Sequence, residues 1–173
     1  MTGLDDIIRR ALSSFAAEAL DGSWNGRRER EAVSLFVFGH LLRHVGPSSF
    51  LRDPAQIAVE CPVPQVVTET DESNARGSAR KLQVCKDVVI WPRPRMTCWD
   101  SEGKATVAPA AILEWKFNFP YNYHPDLVWL KEFSIVYPGF VGYSVTANPP
   151  GKDFKLSCIR IANGDGEVWL NLD

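Results

Sequence analysis

The segment Ala110-Ala111-Ile112-Leu113-Glu114-Trp115-Lys116-Phe117 decides how this chain is read. Apolar and aromatic side chains run through it, Pro120 follows it, and one acid and one base interrupt it two positions apart, which predicts a strand over residues 110–117. Side chains alternate along a strand, so Glu114 and Lys116 share one face while Leu113 and Trp115 pack the other way. Two charges on a face expected to be buried carry a desolvation cost unless they pair or bind something. Both explanations are open at this point.

The neighbouring segments add to the pattern. Residues 82–91, closed by Pro92 and Pro94, predict the preceding strand, and Asp87 is the one acid in its apolar run. An antiparallel neighbour would bring Asp87 alongside Glu114. Two carboxylates on adjacent strands suit a hard cation, Mg2+ or Mn2+, which needs only one or two protein carboxylates and keeps waters for a substrate. Residues 56–63 predict a first strand, which Pro62 and Pro64 restrict to an edge, and residues 68–81 lack apolar periodicity and predict a surface loop.

Helical spacing of Leu4, Ile7, Ile8, Ala11, Leu12, Phe15, Ala19 and Leu20 predicts an N-terminal helix over 3–20, and a second helix is expected over 28–45 before Gly46-Pro47. Pro125 and Pro138-Gly139 bracket a third helix, residues 140–146 predict a fourth strand, and a C-terminal hairpin over 154–172 turns at Asn163-Gly164-Asp165-Gly166. The third strand, third helix and fourth strand can form one right-handed crossover. The expectation is therefore a single α/β domain, a mixed central sheet flanked by helices with a C-terminal β-hairpin.

In the 173 residues, 45% are hydrophobic and 23% charged, as in ordinary globular proteins. No apolar run approaches the ~18 residues of a membrane span. The first six residues carry two aspartates and no base, unlike a signal peptide, and the four cysteines (Cys61, Cys85, Cys98, Cys158) form no Cys-x-x-Cys pair. A cytoplasmic protein with reduced thiols is expected. The net charge of −2 offers no global attraction to nucleic acid. Locally, however, Arg76, Arg80, Lys81, Lys86, Arg93 and Arg95 accompany only Asp87, a balance of +5, and form a candidate nucleic-acid-binding patch or a solvated loop and strand edge.

Asp87, its spacing to Glu114-Trp115-Lys116, and the order helix, three strands, helix, strand resemble the PD-(D/E)xK nuclease superfamily, the restriction-endonuclease-like fold, over about residues 27–147. The resemblance implies a Mg2+- or Mn2+-dependent nuclease hydrolysing phosphodiester bonds, in DNA more than RNA. In that reading Asp87, Glu114 and the backbone carbonyl of Trp115 hold the metal, and Lys116 orients or activates the attacking water. Glu31, on the helix before the sheet, matches a further glutamate of the family and is the auxiliary catalytic candidate; it is equally suited to capping that helix. Lys86 stands where the motif has its proline, and the long gap from Asp87 to Glu114 implies an extended loop over 92–109. Nucleic acid is the implied partner, and a homodimer is left open.

Other patterns carry less. His40 and His44 lie at i and i+4 without the glutamate of His-Glu-x-x-His, which points to helix-surface or interface histidines, and His124 suits a helix cap. Glu60 is a weaker acidic candidate, and Trp24 and Trp99 are the tryptophans expected in loops. No phosphate-binding glycine loop is present. Two further readings stay open: a nuclease-like binding module without catalysis, and a scaffold in which Glu114 and Lys116 merely pair.

Overall fold

In the computed structural model, which describes residues 2–66, 83–118 and 125–172, six strands form one open mixed sheet in chain order. The elements are α1 (Leu4–Asp21), α2 (Glu29–Ser34), β1 (Ile57–Pro64), β2 (Gln83–Ile90), β3 (Ala111–Phe117), α3 (Pro125–Val136), β4 (Val141–Ala147), β5 (Leu156–Ala162) and β6 (Asp165–Leu172). Pairing is antiparallel throughout except between β3 and β4, the parallel pair that flanks α3 in the chain. The α/β class and the mixed sheet are therefore as expected. The predicted loop over 68–81, with Arg76, Arg80 and Lys81, lies outside the described residues, as does His124.

Alternation along the strands divides the core into two layers. Ala111, Leu113, Trp115 and Phe117 of β3 join Val88 and Ile90 against α1 and α2, whereas Ile112 and Val89 face Trp129, Leu130 and Phe133 of α3. Edge placement of β1 explains how Pro62 and Pro64 are tolerated in a strand, because the missing N–H groups need not serve two neighbours. The final hairpin turns more tightly than the four-residue expectation. Asn163 and Gly164 have φ of 52° and 86°, the left-handed pair of a two-residue turn, so β6 already begins at Asp165.

The second helix departs from a regular α-helix. Its expected span is occupied by α2, a π-helical stretch Leu35–His40 and a 3-10 turn Leu41–His44. Beside these wider and tighter turns, His40 is only 1% exposed, with Nδ1 2.9 Å from Ser14 Oγ and Nε2 3.2 Å from Glu18 Oε2. His40 is thus an interior anchor between the two helical segments and not a surface histidine. Burial, the largest influence, lowers its pKa despite the opposing charge of Glu18.

Phe15 of α1 is the aromatic hub of the first layer, with ring centroids 5.3 Å from Trp24, 5.8 Å from His40, 5.2 Å from Trp115 and 6.1 Å from Phe154. Removing it leaves a cavity bounded by four rings from separate segments that cannot all collapse inward. Phe15→Ala is expected to cost about 3–5 kcal/mol in a denaturant titration; a loss below about 1 kcal/mol would show that α1 does not hold this layer together.

Candidate functional site

The charged residues meet where β2 and β3 part. Regular pairing runs Ile90 with Ala111, Val89 with Ile112 and Val88 with Leu113, and then stops. At the next step the Asp87 carboxylate replaces the ladder: its Oδ2 accepts the Trp115 N–H at 2.8 Å. Glu114, one residue earlier on β3, turns toward α3 and lies 4% exposed, with Oε1 2.8 Å from Lys86 Nζ. Lys86 Nζ also lies 3.5 Å from Asp126 Oδ1 and 4.0 Å from the centroid of the Trp129 ring.

Lys116 closes the fork. Its Nζ donates to the Trp115 carbonyl at 2.9 Å, pairs with Asp126 Oδ2 at 2.9 Å, and lies 3.9 Å from Glu29 Oε1. Glu29 Oε2 in turn accepts the Phe117 N–H at 3.1 Å. The first residue of α2 and the second of α3 are thereby tied to the same end of β3. Asp87 opens on the other side into a cavity of about 240 Å³ that Glu29, Val33, Val59 and Glu60 also line. Along its rim Arg30 and Glu60 form an exposed ion pair at 2.8 Å.

Four acids and two lysines thus share one small volume, and their protonation reflects it. Burial pushes Glu114 up to about 8, against the pull of Lys86 and with reinforcement from Asp87 and Asp126. Glu29 is also raised, first by burial, with Lys116 and the Phe117 N–H opposing. For Lys116 burial would lower the pKa, but the bond to Asp126 and the charges of Asp126, Glu29 and Asp87 outweigh it, and the net shift is upward. Lys116 therefore stands fully protonated near neutral pH. The cluster holds more carboxylate than its two ammonium groups neutralise, a condition that favours a further cation or a shared proton.

The predicted residues are distributed unevenly over this geometry. Asp87, Glu114 and Lys116 come to the fork together, but the two carboxylates take different partners. Glu31 does not reach it; its Oε2 accepts the N–H groups of Arg27 (2.9 Å) and Arg28 (3.2 Å), so it caps the start of α2. Lys86, grouped from the sequence with the surface cations, is 2% exposed and belongs to the interior network. Arg93 and Arg95 are exposed beyond the far end of β2, where the Arg95 N–H bonds Ala55 O at the opposite end of the sheet from Phe117. Trp99 packs partly against the α3 layer.

Two members of the network, Glu29 and Asp126, escaped sequence reasoning. Glu29 lies two residues before Glu31 in the first turn of α2, and Asp126 follows Pro125 at a helix start, where an acid is ordinarily explained by the dipole. Only the convergence of three separate segments distinguishes them. Among the described residues no three acid, histidine or cysteine side chains converge as a ready metal cage. No family model matches the chain, and no curated protein or solved structure matches it significantly.

The Glu114 shift has a definite sign in stability. Between the ordinary 4.5 and about 8 the folded chain keeps a proton that the unfolded chain has released. This contribution is complete below the lower value and is lost as pH rises toward the upper one. In metal-free buffer the wild-type melting temperature should therefore fall between pH 5 and 8 more steeply than that of Glu114→Gln. At pH 8 the variant should melt at least about 2–4 °C higher, the shift that 1 kcal/mol produces in a chain of this size. Parallel pH profiles for the two proteins would refute the buried, strained carboxylate.

Proposed function

We propose that the chain is a metal-dependent nuclease of the PD-(D/E)xK kind, hydrolysing phosphodiester bonds in DNA and working in the cytoplasm. The observation that carries this reading is the fork itself: Asp87, Glu114 and Lys116, from two separated segments, gather at the one place where β2 and β3 cease to pair. The donor chemistry fits a hard cation. Asp87, Glu114 and the Trp115 carbonyl are all oxygen donors, and Mg2+ or Mn2+ would need only these and water. Bound there, the cation would acidify a water and polarise the phosphodiester.

The residues around it have assignable tasks in this reading. Lys116, protonated and braced by Asp126, is suited to steady the negative charge that develops on the phosphorus oxygens and to orient the attacking water by donation. Its raised pKa disfavours a role as general base. Glu29, in place of Glu31, supplies the auxiliary carboxylate beside Asp87. Glu114 must shed its proton and its contact with Lys86 to ligate, so metal affinity should rise with pH toward 8. The restriction-endonuclease-like likeness of the fold is part of the proposal, as is the reducing compartment that four unpaired cysteines suit. No helix in the described residues is long and apolar enough to cross a membrane.

One observation favours a second reading, a nuclease-like binding module without catalysis. Lys86 Nζ lies 2.8 Å from Glu114 Oε1 and so occupies the carboxylate that a metal would need. The two readings separate in one assay. With Mg2+ or Mn2+, the purified protein should cleave single-stranded, duplex or branched DNA, and Asp87→Asn and Lys116→Ala should each lower the rate by roughly 10²–10³. Absence of cleavage on all three substrates, or a Lys116→Ala variant as fast as wild type, would remove the enzymatic assignment.

A further inference from the structure

The basic surface anticipated around Arg93 and Arg95 sits at the wrong end of the sheet to serve the fork, yet a different cationic surface adjoins it. The connection from α1 to α2 reads Gly22-Ser23-Trp24-Asn25-Gly26-Arg27-Arg28 and leads directly into Glu29. Two hollows flank this connection, one of about 420 Å³ reaching Asn118 and Pro149, the other of about 410 Å³ reaching Arg28 and Glu31. Both are walled by Trp24, Asn25 and Arg27.

The pieces of this surface are held in place. Trp24 rests on Phe15 at 5.3 Å and on Phe117 at 5.8 Å, and the backbone of Gly26 lies so close over its indole that a Cβ there would meet the ring at 2.3 Å. Only glycine lets the loop close on the tryptophan. The Arg27 and Arg28 backbones are fixed by Glu31, while both side chains are exposed, and among the described residues neither has a carboxylate partner. Asn118, at φ 59°, turns the chain immediately after Phe117 and brings the end of β3 to the same hollow.

We propose that this connection is the seat of a single-stranded nucleic acid, which passes over Arg27 and Arg28 toward the fork; the inference rests on the nuclease reading of that site. Two exposed guanidinium groups with no carboxylate partner among the described residues supply sequence-independent attraction for phosphates. The indole wall offers apolar contact to a sugar or base, and the Asn25 and Asn118 amides offer a donor and an acceptor each to an unpaired base edge. Hollows of this size admit one unpaired nucleotide and not a duplex, whose base edges are engaged and whose width is that of two strands. Continuity is the remaining support. Arg28 is followed by Glu29, and Asn118 is preceded by Phe117, whose N–H Glu29 holds at 3.1 Å, so the backbone of this connection adjoins the end of β3 that carries Lys116.

The test is binding without metal, so that cleavage plays no part. Fluorescein-labelled oligo-dT and a labelled hairpin duplex are titrated by anisotropy in EDTA against wild type, Arg27→Glu/Arg28→Glu and Arg93→Glu/Arg95→Glu. Wild type should prefer oligo-dT. The first double variant should bind it at least about tenfold more weakly, with the slope of log affinity against log salt reduced by about 1.4, the value for two single-strand phosphate contacts. The second should stay near wild type. Failure of wild type to bind oligo-dT, preference for the duplex, or equal losses in both double variants would overturn the proposal. Intact binding combined with no cleavage in Mg2+ or Mn2+ would count against the nuclease reading alone. Circular dichroism of each exposed-site variant confirms that it folds.

Discussion

A carboxylate buried in the middle of a sheet is the constraint around which this molecule is organised. Glu114 lies inside β3 with 4% of its surface exposed, and a lone ionised carboxylate there would be costly by several kcal/mol. Lys86 answers it from the adjacent strand at 2.8 Å, and the Trp129 ring covers the ammonium group from α3. The pair draws in further charge. Asp126 reaches both lysines, and Glu29 reaches Lys116, so the starts of two helices on opposite sides of the sheet are fastened to one strand end. A hydrophobic isostere of such a network would commonly be as stable or more so, which makes a functional reason for retaining it worth testing.

Much of the frame was legible because local signals agreed. The 3.6-residue spacing in α1, the prolines bounding β2 and β3, and Asn163-Gly164 between β5 and β6 each specify a local conformation with little help from the rest of the chain. The π-helical Leu35–His40 was not legible, since its apolar residues also satisfy an ordinary helix and its distinguishing partners, Ser14 and Glu18, are distant in sequence.

The site was legible in part for a related reason. Strand alternation pairs Glu114 with Lys116 and an antiparallel neighbour adds Asp87, whereas local charge groups Lys86 with the surface cations. Strict alternation would put Lys86 on the face of Val88, against α1 and α2. Instead Val84 and Lys86 lie with the α3 layer, Val88 and Ile90 lie with the other, and the change of face falls at Asp87. On β1 the residue between the flanking pairs is Glu60, with φ of 49°. A paired irregularity of this kind shifts every side chain beyond it to the other face, and nothing in the composition of either strand announces it. It is also what frees the Asp87 carboxylate to bond the Trp115 N–H and open into a cavity. The geometry of the fork and the failure of the simple rule thus have one cause.

We propose that this fork is a cation site in which Lys86 pairs with Glu114 until a metal binds. Diffraction from crystals soaked in Mn2+, read at a wavelength where manganese scatters anomalously, tests it most directly. A cation held by the fork gives an anomalous peak within about 2.0–2.4 Å of carboxylate oxygens of both Asp87 and Glu114 and of the Trp115 carbonyl, with Lys86 Nζ withdrawn from Glu114. Crystals without such a peak, in which Lys86 still pairs with Glu114, would contradict it.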